Sequence, residues 1–167
     1  MEYFELIKKR YSVRSYKQDA VEEGKLNIIL EAARLAPTAC NRQVFKVVVI
    51  RTKGREEELK KIYRADWFSQ PPIVIGIFSM PDKNWVRSDG KNYSDVDAAI
   101  VMDHIILAAT DLGLGTCWIG AFNPQAARDF AGLGKGLEPV AFTPVGYPDS
   151  MEPGKMRKNI EDIVVYI

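Results

Sequence analysis

The sequence predicts a single domain over residues 1–167, of α+β or three-layer α/β/α type, on three observations. Short, strongly apolar runs at 44–50, 73–78 and 140–145 read as strands. Helical segments lie between them, but not in the strict β-α-β order of a doubly wound sheet. One helix, beginning at Asp95 or Asp97 and running to about Leu112, is apolar round most of its circumference. A helix of that kind is covered on more than one side, in the domain centre or in a subunit interface.

Taken in order, the opening residues put Tyr3, Phe4, Ile7 and Leu6 on one side of a short helix. Residues 22–34 form a second amphipathic helix, with Leu26, Ile29, Leu30 and Ala33 facing inward, and Pro37 stops it. Ala36 to Gln43 reads as a loop rich in hydrogen-bonding side chains. After the strand at 44–50, residues 54–64 are charged and read as a solvated surface helix. Residues 81–94 show no clean period, and long loops of this kind often carry function. Gly113 ends the long helix, a short strand follows at 116–119, and Asn123-Pro124 opens another helix. The tail holds Pro148, Pro153 and Gly154, a basic cluster, and then apolar residues 163–167.

The totals bound the function. A net charge of +1 gives no reason to expect a nucleic-acid or membrane partner. Cys40 and Cys117 lie far apart without CxxC spacing, which argues against a disulfide scaffold or a zinc site and reads them as small apolar fillers. No run is long enough to span a bilayer, and the acidic start is unlike a signal peptide, so a cytoplasmic location is expected. His104 is the only histidine, inside the long helix, where a core or interface role is expected. A triad or a histidine metal site is not.

The chemistry-bearing stretch is Lys9-Arg10-Tyr11-Ser12-Val13-Arg14. Arg10, Ser12 and Arg14 recur at every second residue, so an extended backbone turns two guanidiniums and a hydroxyl to one face. That set can cradle a phosphate or a polarised carbonyl; the same residues also fit a solvated basic turn. The glycines are not nucleotide motifs. Gly113-Leu114-Gly115 with Gly120 follows a helix and precedes a strand, the reverse of a dinucleotide fingerprint, and Lys135 is not followed by Ser or Thr. Trp118, flanked by this glycine-rich stretch, is either a core residue or a stacking platform.

Four pieces together resemble the flavin-dependent nitroreductase family. They are Arg10-Tyr11-Ser12-Val13-Arg14, Pro37-Thr38-Ala39-Cys40-Asn41-Arg42-Gln43, the segment from Gly113 through Trp118-Ile119-Gly120-Ala121 to Phe122, and Gly146-Tyr147-Pro148 followed by Lys155-Met156-Arg157. The resemblance implies a three-layer α-β-α fold with a mixed, mostly antiparallel sheet. It also implies an intertwined homodimer with FMN at each of two sites on the subunit interface and C-terminal residues wrapped over the partner. On the matching positions, Arg10, Tyr11, Ser12 and Arg14 would hold the FMN phosphate, ribityl chain and pyrimidine edge, joined by Lys155 and Arg157. Pro37, Thr38, Asn41 and Gln43 would reach the flavin from the other subunit. Trp118, Ile119, Gly120 and Ala121 would line the isoalloxazine, with Gly120 near N5. The region before Trp85 has no match to the family's asparagine and lysine contacts to the ring. The activity implied is ping-pong transfer of hydride from NADH or NADPH, through flavin N5, to a nitroaromatic, quinone or similar small acceptor. Such chemistry needs no catalytic acid or nucleophile from the protein, and no metal. Reductive dehalogenation, FMN cleavage and a non-catalytic flavin-binding dimer are the alternatives.

Overall fold

The computed structural model describes residues 2–150 and 154–167; Met1 and the tail's Pro153 lie outside the described residues. Four strands, β1 (Phe45–Arg51), β2 (Ile73–Ser79), β3 (Gly115–Thr116) and β4 (Glu138–Gly146), form one sheet in the order β1-β2-β4-β3. Every pair is antiparallel, with Val48 opposite Gly76 and Ile75 opposite Thr143. A single parallel bridge joins Ser12 to Thr116 at the β3 edge, which gives the sheet its mixed character.

The layering follows from β2, whose residues are all buried. Side chains alternate across a strand. Ile73, Ile75 and Ile77 pack on one face with Leu26 and Ile29 of α2 (Glu23–Leu35) and Val101, Met102 and Ile105 of α4 (Ser94–Asp111). Val74 and Phe78 pack on the other face with Leu59 and Ile62 of α3 (Glu56–Ile62), Ala127 of α5 (Pro124–Ala131), Phe68 and Phe142. Two apolar faces on one sheet require two helical layers, and the α-β-α sandwich is the result.

Several expectations change in detail. The 54–64 helix is shorter and only partly solvated, because Leu59 and Ile62 sit in the second core. The predicted strand at 116–119 is reduced to Gly115–Thr116 plus an isolated bridge at Ile119. The 81–94 loop contains a 3-10 turn, Pro81–Lys83, and a small hairpin closed by a bridge between Val86 and Asn92. α1 (Tyr3–Lys9) buries none of its residues; Leu6 is half-buried, while Tyr3, Phe4 and Ile7 are exposed, so most of its apolar side is uncovered by the described residues. Asn123 caps α5 as expected, its Oδ1 accepting from the amides of Gln125 and Ala126 at 3.1 Å each. Among the described residues, no helix is long and apolar enough to cross a membrane.

Candidate functional site

α4 positions both halves of the predicted site, one at each end. At its C-terminal end Gly113, with φ 78°, turns the chain into β3, a conformation that only glycine adopts without cost. The next glycine, Gly115, lets the Arg10–Arg14 stretch approach. A Cβ there would lie 2.7 Å from Val13 Cγ2, so only a bare backbone fits. The Val13 amide donates to the Thr116 carbonyl at 2.9 Å. Val13 is buried below, while Ser12 and Arg10 are half-buried and Arg14 is exposed.

Buried Val13 between half-buried Ser12 and exposed Arg14 fits the extended alternation predicted for this stretch, and Arg10, Ser12 and Arg14 all lie in the neighbourhood of Cys117. Burial pushes the Cys117 thiol up. The positive charge of Arg14, a hydrogen bond with Ser12 and the charge of Arg10 pull it the other way. Two guanidiniums and a hydroxyl thus act on one point beside β3. The Arg14 guanidinium also lies 5.8 Å from the centre of the Trp67 ring. A cleft of about 200 Å³ opens alongside Arg10, Tyr11, Thr110 and Gly113. Tyr11 Oη donates to the Ser150 carbonyl at 2.8 Å, so the tail leaves the sheet next to this cradle.

The segment after β3 is pinned from beneath. The Cys117 amide donates to Thr143 Oγ1 at 3.0 Å, and Ile119 exchanges backbone hydrogen bonds with Phe142 at 2.8 and 3.0 Å. Cys117 and Ile119 are buried by this alternation, which turns Trp118 outward at 41% exposure and leaves Gly120 and Ala121 exposed. Trp118 is a surface residue, not a core one. A Cβ added at Gly120 would meet nothing within 4 Å, so its backbone is open to a ligand.

At the N-terminal end of α4 sits the loop of residues 37–43. Cys40, Asn41 and Gln43 have φ of 51°, 52° and 54°, strained for residues with a side chain and sustained only where the surroundings fix them. Arg42 Nη1 ties the loop to the Lys83 and Asn84 carbonyls at 3.0 and 3.1 Å, and the deeper anchor is Asp97. It is 3% exposed, and its carboxylate accepts from the Ala39 amide and from Asn84 Nδ2, both at 2.9 Å. Thr38 Oγ1 accepts from the Gln43 amide at 3.0 Å, and Gln43 Nε2 donates to the Asn41 carbonyl and Oδ1 at 3.2 and 3.1 Å. Thr38, Asn41 and Gln43 are thus brought together, with Pro37 exposed before them. Cys40 is exposed on this loop, so the expectation that it fills the core fails: its left-handed backbone turns it out of the fold. Beside the loop lies an apolar cleft of about 320 Å³ bordered by Trp85, Tyr93 and Ile100.

The structure does not bring every predicted residue together. Asp97 and Thr110 are thirteen residues apart on one helix, about 20 Å at 1.5 Å per residue, and the loop and the cradle lie at these opposite ends. Lys155 is half-buried with its Nζ enclosed, while Arg157 is exposed and donates to the adjacent Met156 carbonyl at 2.8 Å. An exposed guanidinium on the tail satisfies itself locally. Asp97 went unforeseen as an anchor: the sequence marks it only as an acid at a helix start, and nothing in its spacing shows that the carboxylate turns inward.

Comparison with known proteins fits this geometry. The sequence profile described as "Nitroreductase family" matches residues 7–85 and 60–147. A solved nitroreductase family protein from Clostridium difficile superposes with a TM-score of 0.89 at 38% identity, covering 99% of this chain and 98% of that one. A solved FMN-dependent nitroreductase, also from Clostridium difficile, gives a TM-score of 0.78 at 28% identity, covering 95% and 92%. The FMN reductase [NAD(P)H] of Bacillus subtilis is 28% identical over 87% of this chain and 66% of its own length.

Proposed function

Since the chain belongs to the nitroreductase family, we propose that it is an NAD(P)H-dependent FMN oxidoreductase that reduces a small planar acceptor such as a nitroaromatic or a quinone. The observation that carries this reading is that the Arg10–Arg14 stretch is bonded through Val13 to Thr116, two residues before an outward-turned Trp118 and four before an open Gly120 backbone. A dianionic phosphate is best held by guanidinium forks together with a hydroxyl. A flat ring needs an open backbone and an apolar wall. The residues present fit both ends of FMN, and the glycine order excludes the fingerprint that FAD sites of the dinucleotide type use.

When bound, FMN supplies the ring that takes hydride from NADH or NADPH and returns the reducing equivalents to the acceptor. The chain's own work is to hold it. Arg10, Ser12 and Arg14 bind the phosphate end, with Tyr11 fixing the tail beside them and Lys155 and Arg157 adding charge from that tail. The backbone from Trp118 to Ala121 lines the ring, stiffened by the Thr143 and Phe142 bonds beneath. Pro37, Thr38, Asn41 and Gln43 complete the slot from a second subunit. About 20 Å separates them from their own cradle, and a two-fold axis across α4 exchanges the helix's two ends. The uncovered Tyr3, Phe4 and Ile7 of α1, and the exposed Ile163, Val165 and Tyr166 of the tail, are apolar surface that a homodimer would cover.

The test is a spectrum of the pure protein, chromatography of the released cofactor and sedimentation. We expect FMN, a dimer at micromolar concentration, and a yellow colour bleached by NADH or NADPH and restored by a nitroaromatic. FAD in the released fraction, a flavin-loaded monomer, or colour indifferent to both nicotinamides would each defeat this reading.

A further inference from the structure

The amide of Asn123 donates to the carbonyl of Ile62 at 2.8 Å, which joins the end of the ring-lining segment to the end of α3. At this seam lies a cleft of about 760 Å³ lined by Lys60, Lys61, Tyr63, Arg64, Ala121 and Asn123, with Glu57 as its one acidic wall residue. Its cations are unequally engaged. Lys60 pairs with Glu57 at 3.2 Å and with Asp66 at 3.9 Å. Lys61 and Arg64 have no ion pair or hydrogen-bonding side-chain partner among the described residues. The Tyr63 ring meets Trp67 edge-on at 5.5 Å, and Trp67 carries the Arg14 guanidinium on its other contact. The cleft therefore adjoins the ring-lining segment at Ala121 and the cradle through an aromatic pair.

We propose that this cleft binds the phosphorylated end of the nicotinamide donor and favours NADPH over NADH. The proposal rests on the flavin reading above. A cleft far larger than a simple ion, polar and with two uncommitted cations, suits an extended polyanion. A 2′-phosphate is a monoester that adds up to two negative charges. Arg64 offers it a planar fork of donors, and Lys61 a compact charge. The diester phosphates common to both donors carry single charges and gain less from that pair. Ala121 at the inner wall continues directly into Gly120, so a dinucleotide held here has its nicotinamide end directed along the segment that lines the ring.

The test uses calorimetry on the FMN-loaded protein with 2′,5′-ADP and 5′-AMP, which differ only in the 2′-phosphate. The wild type is expected to bind 2′,5′-ADP roughly tenfold or more tightly than 5′-AMP, from two charge-assisted contacts. The double variant Lys61→Ala, Arg64→Ala should lose that preference, with the KM for NADPH raised several-fold more than that for NADH. Both side chains are exposed, and unaltered flavin absorbance will show that the variant is folded. Lys53→Ala, an exposed lysine away from the seam, should behave as wild type. Equal affinities in the wild type, or a preference surviving in the double variant, overturns the cleft alone. A protein carrying no FMN overturns the flavin reading, and with it the nicotinamide assignment, whatever the nucleotides do.

Discussion

At the C-terminal end of α4 the cradle is held by main chain. Val13 donates to Thr116, Ile119 exchanges bonds with Phe142, Lys17 donates to Tyr147 and Asp149 to Ser15, all through main chain, and the Cys117 amide adds a bond to the Thr143 hydroxyl. At the N-terminal end the loop of residues 37–43 departs from regular structure, with three side-chain-bearing residues at positive φ, and is tied to the fold by side chains: the buried Asp97 carboxylate, and Arg42 Nη1 donating to the Lys83 and Asn84 carbonyls at 3.0 and 3.1 Å. A ladder distributes its support over many bonds, so no one cradle side chain is needed to keep the cradle's shape. The loop depends on side chains, and of its two anchors Asp97 is the buried one. Function and stability should therefore separate at the cradle and coincide at the loop.

The largest effect is expected from Asp97→Ala. It leaves the Ala39 amide and Asn84 Nδ2 without their acceptor in a buried place, which should cost about 2–4 kcal/mol of unfolding free energy. A urea midpoint lowered at constant protein concentration would report it, and FMN affinity should fall with it as the loop loses its anchor. A midpoint equal to that of wild type would show that the exposed Arg42 anchor suffices and would remove the contrast between the two ends.

Arg14→Ala should give the opposite signature. Losing a charge-assisted bond weakens FMN binding by about 1.5–3 kcal/mol, roughly ten- to hundred-fold. Stability should stay within about 0.5 kcal/mol, since the side chain is exposed. Arg51→Ala is the control: that guanidinium ends β1, pairs with Glu23 at the sheet edge and matches no cofactor motif. Titration of FMN into the three deflavinated proteins decides. Equal affinities would take Arg14 out of the site.

This contrast also explains what the sequence could reveal. The cradle was legible because its signal is local: an every-second-residue pattern of Arg10, Ser12 and Arg14 survives directly into an extended backbone. The strands were legible as apolar runs, with boundaries off by a residue or two where pairing partners set the ends. The loop's support was not legible. Asp97 and Ala39 are far apart in the chain, and nothing local distinguishes an acid that caps a helix from one that turns inward. The positive φ values at Cys40 and Gln43 have the same cause, being imposed by tertiary contacts on residues that do not favour them, whereas Asn41 accepts that backbone more readily. The apolar side of α1 was legible as a pattern, but its exposure in the single chain was not, because a pattern marks an apolar face without stating what covers it.

The smallest effect concerns alkali, and it sharpens the comparison by asking whether the cradle end has a weakness of its own. Tyr16 lies beneath the cradle, 4% exposed, its Oη donating to the Val13 carbonyl at 2.8 Å. Burial above all, then the neighbouring Cys117, raises its phenol far above the ordinary value of 10.0 despite the opposing charge of Arg14. Burial likewise raises the Cys117 thiol above its ordinary 9.0. Both groups are held protonated in the folded chain, while the unfolded chain releases their protons at the ordinary values. The folded state therefore binds more protons once the pH passes those values, and stability falls as the pH rises. Below 9.0 their contribution is complete. Tyr16→Phe should cost about 1 kcal/mol at neutral pH, from the lost hydrogen bond. It should also flatten the alkaline decline, so the gap between variant and wild type narrows as the pH climbs past 10.0. Lysines titrate in both proteins and cancel in the difference. Denaturant midpoints measured across that range test the sign: a gap that stays constant would mean that the Tyr16 phenol ionises as readily in the folded cradle as in the unfolded chain.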